Sequence, residues 1–189
     1  MPGKPGGPDA KLLLIGIDGG TWDLLEPLMA RGAMPELARL LERGARGVLR
    51  SVSPPLTPAA WATVLTGKNP GGHGIFDFRR TPSRFAAEQT TEYVSSRLLP
   101  RPYLYDRIGA AGKRVISINV PMTYPPHAIN GCMITGMFTP RGNACTYPPE
   151  LQGRLGDYEV DLRPGEGPQI DAWLLGKEEI GFTCHDTIY

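Results

Sequence analysis

The sequence predicts an α/β fold with a mostly parallel sheet. Three observations carry that expectation. Lys11–Asp18 is a continuous apolar run ending in an acid, the pattern of a strand buried on both faces. Short apolar runs then alternate with stretches of helical spacing, which argues for a sheet with right-handed crossovers. Finally, 20 prolines and 24 glycines in 189 residues are too many for a helical bundle and indicate short elements joined by turns.

Met1–Ala10 is expected to be a flexible tail, since its start lacks the apolar core of a signal peptide. Lys11–Asp18 is the first predicted strand, broken by Gly19–Gly20, after which Thr21 can cap a helix. That helix is Trp22–Arg31, with Trp22, Leu24, Leu25 and Leu28 on one face and Gly32 as its stop. Met34–Arg43 forms a second helix through Leu37, Leu40 and Leu41, and Val48–Val52 a short strand. Pro58–Leu65 is the next helix, opened by Thr57 and closed by a glycine-rich turn carrying Lys68 and His73.

Arg79–Gln89 is polar and reads as a loop, Glu92–Ser96 as a weak strand. Tyr103–Ala111 is helical, Arg114–Val120 a strand, Pro121–Asn130 a proline-rich loop, and Cys132–Phe138 another strand. Pro148–Leu155 is expected as a short helix with proline in its first turn, and Tyr158–Leu162 alternates like a strand. The domain runs over residues 11–162. Residues 163–189 remain poorly defined.

Composition narrows the function. An apolar fraction of 41% and a charged fraction of 21% are ordinary for a soluble protein. A formal charge of +1 gives no attraction to a nucleic-acid polymer or an anionic membrane. Three cysteines, Cys132, Cys145 and Cys184, without regular spacing argue against a disulfide framework. No apolar run approaches the ~18 residues that span a bilayer. A reduced, cytoplasmic setting is expected.

The chemistry-bearing positions are few. Asp18 sits at the carboxyl end of a predicted strand, where open α/β sheets gather functional groups. An acid before two glycines suits a divalent metal, and equally a helix-capping turn. Thr57 stands at the mouth of a helix, where unpaired amides and a partial positive charge favour an anion. On chemistry alone the commoner reading is a cap. Lys68 and Asn119 are candidates for substrate contact, set against a solvated lysine and a strand-capping asparagine. His73 and His127 read as a structural turn histidine and an exposed loop histidine.

Taken together, Asp18–Gly19, Thr57, the string T-G-x-x-P-x-x-H-G from Thr66 to Gly74, and the later INVPMTYPP and TGMFTP resemble the amino-terminal part of the alkaline phosphatase superfamily. The nearest pattern is its type I phosphodiesterase/nucleotide pyrophosphatase branch. The resemblance implies a three-layer α/β/α sandwich and a metal-dependent hydrolase of phosphodiesters or phosphomonoesters. It also implies two divalent ions, zinc or manganese, with Asp18 and Thr57 as metal ligands, Thr57 as nucleophile and a small phosphorylated substrate. The branch's later ligands, Asp-x-x-x-His, Asp-His and a late His, have no match here, and His185–Asp186 occurs in the opposite order. The expectation is therefore an amino-terminal portion, incomplete at the carboxyl end, completed by an oligomer or a missing second half. The alternative is a chain without catalysis that acts as a binding module. Ile15–Trp22 also resembles the phosphate loop of sugar kinases and actin-like ATPases, but helical spacing follows it instead of a second strand.

Overall fold

The computed structural model describes residues 11–80, 92–140, 142–156 and 158. They fall into two compact units divided between Arg46 and Gly47.

The first unit holds α1 (Trp22–Ala30) and α2 (Pro35–Arg43). α1 stops where predicted: the Gly32 amide donates to the Met29 carbonyl and the Ala33 amide to that of Leu28, both at 2.9 Å, the two bonds of a Schellman motif. α2 starts on a proline, whose missing N–H costs nothing in a first turn. Neither helix buries a residue completely. Arg46 links back to α1, pairing with Glu26 and lying 5.3 Å over the Trp22 ring.

The second unit contains α3 (Thr57–Thr66), α4 (Pro70–His73), β1 (Arg79–Arg80), β2 (Glu92–Tyr93), α5 (Leu104–Ala110), β3 (Val115–Val120), β4 (Gly131–Thr135) and β5 (Thr146–Tyr147). β1 and β2 form an antiparallel pair. The other sheet runs β3-β4-β5, with β3 and β4 parallel and β5 antiparallel to β4. Residues 121–130, the predicted proline-rich loop, make the crossover between β3 and β4. α3 faces the core through Pro58, Ala59, Ala62, Leu65 and Thr66, a stripe at helical spacing whose alanines allow close packing. Ala62 and Leu65 meet Tyr103, Tyr105, Met122 and Met133 in one buried cluster. At the start of α5 the Asp106 carboxylate accepts from the Tyr103 amide at 2.8 Å and from Arg101 at 3.1 Å.

The α/β character holds, but several expectations need correction. Neither Lys11–Asp18 nor Val48–Val52 is a strand, and Leu12 to Ile15, Val48 and Leu49 are exposed. A strand exists only when a neighbour takes its backbone hydrogen bonds, and among the described residues none pairs with either run. The described sheets have two and three strands, one antiparallel and one mixed. The short helix expected over Pro148–Leu155 is present as a 3-10 helix over Pro149–Arg154, while Glu92–Ser96 contributes only two strand residues. Residues 81–91, which contain most of the predicted Arg79–Gln89 loop, lie outside the described residues. So do residues 1–10, most of the predicted Tyr158–Leu162 strand, and the segment from 163 onward.

Candidate functional site

The stretch from Leu56 to Gly74 explains itself residue by residue. Leu56 is extended and takes the capping seat of α3, and Thr57 is the first helical residue. The Ala60 amide closes the first turn onto the Leu56 carbonyl at 2.9 Å. Pro58 fits in that turn, where its ring fixes a helical φ and no donor is lost. Thr57 is half-buried at the helix mouth, above the fully buried Pro58 and Ala59. Its position meets the partial positive end of the helix.

α3 ends at Gly67, whose φ of 68° is a left-handed geometry that glycine adopts without strain. Asn69 then caps α4, its side-chain oxygen accepting from the Gly72 amide at 3.0 Å. His73 ties the two helices together. Its Nδ1 accepts from the Ile75 amide at 3.1 Å, so that nitrogen carries no proton. Nε2–H must therefore donate to Thr63 Oγ1 at 3.1 Å, while the Thr63 hydroxyl donates to the Ala59 carbonyl at 3.0 Å. Burial holds the His73 pKa below its ordinary value, with a partly opposing hydrogen bond to the Ala59 backbone. Both ring nitrogens serve the fold, as the turn reading expected.

Asp18 and Gly19 form the middle of a turn closed by the Gly20 amide on the Ile17 carbonyl at 3.2 Å, and Asp18 is exposed. Asp18 belongs to the first unit; Thr57, Lys68 and Asn119 belong to the second. Lys68 is exposed, its aliphatic stem beside Gly72. α3 separates it from Thr57, since ten residues of helix span about 15 Å.

Asn119 is exposed at the carboxyl end of β3, with a left-handed φ of 53°. Ile118 pairs with Ile134 and Val120 with Thr135, so Asn119 is the extra residue of a β-bulge. His127 lies in the loop as expected but is not exposed. It is half-buried, 5.0 Å from the Tyr103 ring and 6.2 Å from the Tyr105 ring. Burial first, and Arg101 second, hold its pKa below the ordinary value.

Among the described residues no group of three or more His, Cys, Asp and Glu side chains is placed to hold a metal ion. Asp18 and Thr57 are two oxygen donors, and of the described histidines His73 is engaged in the fold and His127 is set among tyrosines. The described residues alone do not make a two-metal centre, which needs several ligands for each ion. Cys132 and Cys145 are free thiols, and Cys184 lies outside the described residues. No helix in the described residues is long and apolar enough to cross a membrane.

The sequence reading passed over three threonines. Thr123 and Thr135 are buried and Thr139 nearly so, and their hydroxyls join the ends of β3 and β4. The signal was available: hydroxyls recur within INVPMT and TGMFTP, immediately after two apolar strands.

No curated protein and no solved structure matches the chain. The sequence profile of the family described as type I phosphodiesterase / nucleotide pyrophosphatase matches residues 12–176. That span covers Asp18, Thr57, Lys68 and Asn119, and most of the sequence. The chain belongs to the type I phosphodiesterase / nucleotide pyrophosphatase family.

Proposed function

We propose that the chain carries the nucleophile of a phosphoester hydrolase, with Thr57 attacking phosphorus. The observation that supports this most directly is the position of Thr57: a half-buried hydroxyl on the first residue of α3, inside the span that matches the family. In the first step a Thr57 Oγ–P bond forms and the P–O bond to the leaving group breaks. The hydroxyl proton leaves and the departing alkoxide is protonated to an alcohol. Water then opens the phosphothreonine, restoring the hydroxyl and releasing a phosphate monoester or phosphate. The positive end of α3 steadies the anionic phosphoryl group throughout.

The family is generally metal-dependent. Asp18 and Thr57 are each a candidate metal-ligating oxygen, zinc or manganese being the candidate ions. The frame proposed for the whole fold is the family's three-layer sandwich. Asn119 is the substrate contact at the sheet edge; Lys68, at the far end of α3, does not reach the same phosphate as Thr57. Small phosphorylated molecules are the substrate class, consistent with a chain of formal charge +1.

The test is turnover of bis(4-nitrophenyl) phosphate and 4-nitrophenyl phosphate by the complete protein. Thr57→Ala is expected to lower kcat by at least a thousandfold, and Thr57→Ser to retain measurable turnover. Activity retained in the alanine variant would sink the assignment.

A further inference from the structure

We propose that Thr123 and Gly136 are positioning residues that hold Asn119 out at the carboxyl edge of the β3–β4 pair as a contact for phosphoryl oxygen. The inference rests on the phosphoester reading above and deepens it.

β3 and β4 are parallel, so their carboxyl ends share one edge, the edge at which open α/β sheets bind ligands. The three non-glycine residues with left-handed backbone among the described residues are Asn119, Met122 and Phe138, with φ of 53°, 65° and 71°. All three lie at or just beyond those two strand ends. Such a conformation is uncommon for residues other than glycine, asparagine being the one of the three that adopts it most readily.

Two of the three have a packing reason. Met122 is buried in the same cluster as Ala62 and Leu65 of α3. Phe138 stacks on Tyr93 at 5.2 Å and meets Phe78 edge-on at 5.8 Å. Asn119 has none: its side chain is exposed and makes no hydrogen bond among the described residues. What the bulge and the left-handed turn achieve there is to re-aim one amide side chain at the sheet edge.

The bulge is held from below. The Thr123 hydroxyl donates to the Val120 carbonyl at 2.6 Å and accepts from the Gly136 amide at 3.0 Å. One side chain thus joins the residue after Asn119 to the residue after β4. Thr139 extends the tie, donating to the Gly136 carbonyl at 2.6 Å and lying 2.8 Å from the Thr135 hydroxyl. Gly136 has to be glycine, because a Cβ there would stand 2.5 Å from the Val120 carbonyl oxygen and 2.7 Å from the Asn119 carbonyl carbon. The closeness of the two backbones is what lets the Thr123 bridge span them. An asparagine amide, with two N–H donors, suits a phosphoryl oxygen.

The test combines inorganic phosphate binding with Zn2+ present, followed by calorimetric titration, and turnover of bis(4-nitrophenyl) phosphate. The variants are Asn119→Ala, Thr123→Val, Thr123→Ser and the Asn119→Ala/Thr123→Val pair. Thermal unfolding of each shows that it is folded. Asn119→Ala and Thr123→Val are each expected to weaken phosphate binding about tenfold and to raise KM more than they lower kcat. Thr123→Ser restores binding to within about twofold. The double variant binds no more weakly than Asn119→Ala alone, because Thr123 acts through Asn119. Gly136→Ala is a second probe, expected to act like Thr123→Val. Additive losses in the double variant, unchanged binding in Asn119→Ala, or no phosphate binding by the unmodified protein would each overturn the proposal. The nucleophile reading fails separately. If Thr57→Ala still turns over substrate while phosphate binding depends on Asn119, the edge contact stands and the nucleophile assignment falls.

Discussion

His73 shows how much a single side chain can contribute without touching substrate. Its neutral Nδ1 accepts the Ile75 amide and its Nε2–H meets Thr63, so protonation at Nδ1 breaks the first bond. The folded-state pKa lies below the ordinary 6.5, as does that of His127. The unfolded chain therefore binds more protons than the folded one between the two values. The stability these residues confer is fully present above about pH 6.5 and is lost as pH falls through the folded-state pKa. Urea midpoints measured from pH 7.5 to 5 should fall on acidification. His73→Phe should lower stability at pH 7.5 by about 1–3 kcal/mol, the cost of an orphaned buried amide, and flatten the pH dependence. An equally steep pH profile in that variant would remove His73 from the explanation. At the same scale, Thr57 and Asp18 are singled out as candidates by residue type and near neighbours, which are written in the chain. The Asn119 bulge was not, since it is defined by which residue of β4 each residue of β3 faces.

At the scale of elements, local signals worked where a helix end is set by its own residues. Gly32 and Gly67 end α1 and α3, Pro35 opens α2, and Asn69 caps α4. Gly67 has open space where a Cβ would stand, so only its φ of 68° resists substitution. Gly67→Ala is accordingly expected to cost about 1–2 kcal/mol in chemical denaturation, the penalty of a left-handed L-residue, and Gly67→Asn less. No loss in Gly67→Ala would show that α3 ends differently in solution. Strands were less legible. Val115–Val120 was foreseen to within one residue and Gly131–Thr135 near its start, although the expected strand ran on to Phe138; Lys11–Asp18, comparably apolar, forms no strand. Apolar pattern measures a wish for burial, whereas a strand requires a partner at about 4.8 Å.

For the whole molecule, membership in the family carries the functional argument and the described residues limit it. No group of three metal-binding side chains is assembled among them, while the family is generally metal-dependent. Exhaustive chelation of the complete protein should abolish phosphodiester turnover, and Zn2+ or Mn2+ should restore it. Turnover that survives chelation would place the chain outside that chemistry.

By itself the sequence determined α1, α2, α3 and α5, the proline-rich loop after β3, and the order of Asp18, Thr57 and the Thr66–Gly74 string that marks the family. These depend on residues a few positions apart, so one stretch of chain contains their whole cause. Only tertiary structure decided which apolar runs became strands and that Thr123 bridges to Gly136 beneath Asn119. Each of these depends on groups distant in sequence meeting at hydrogen-bond range. The pattern of one segment carries no record of the neighbour that completes its bonds.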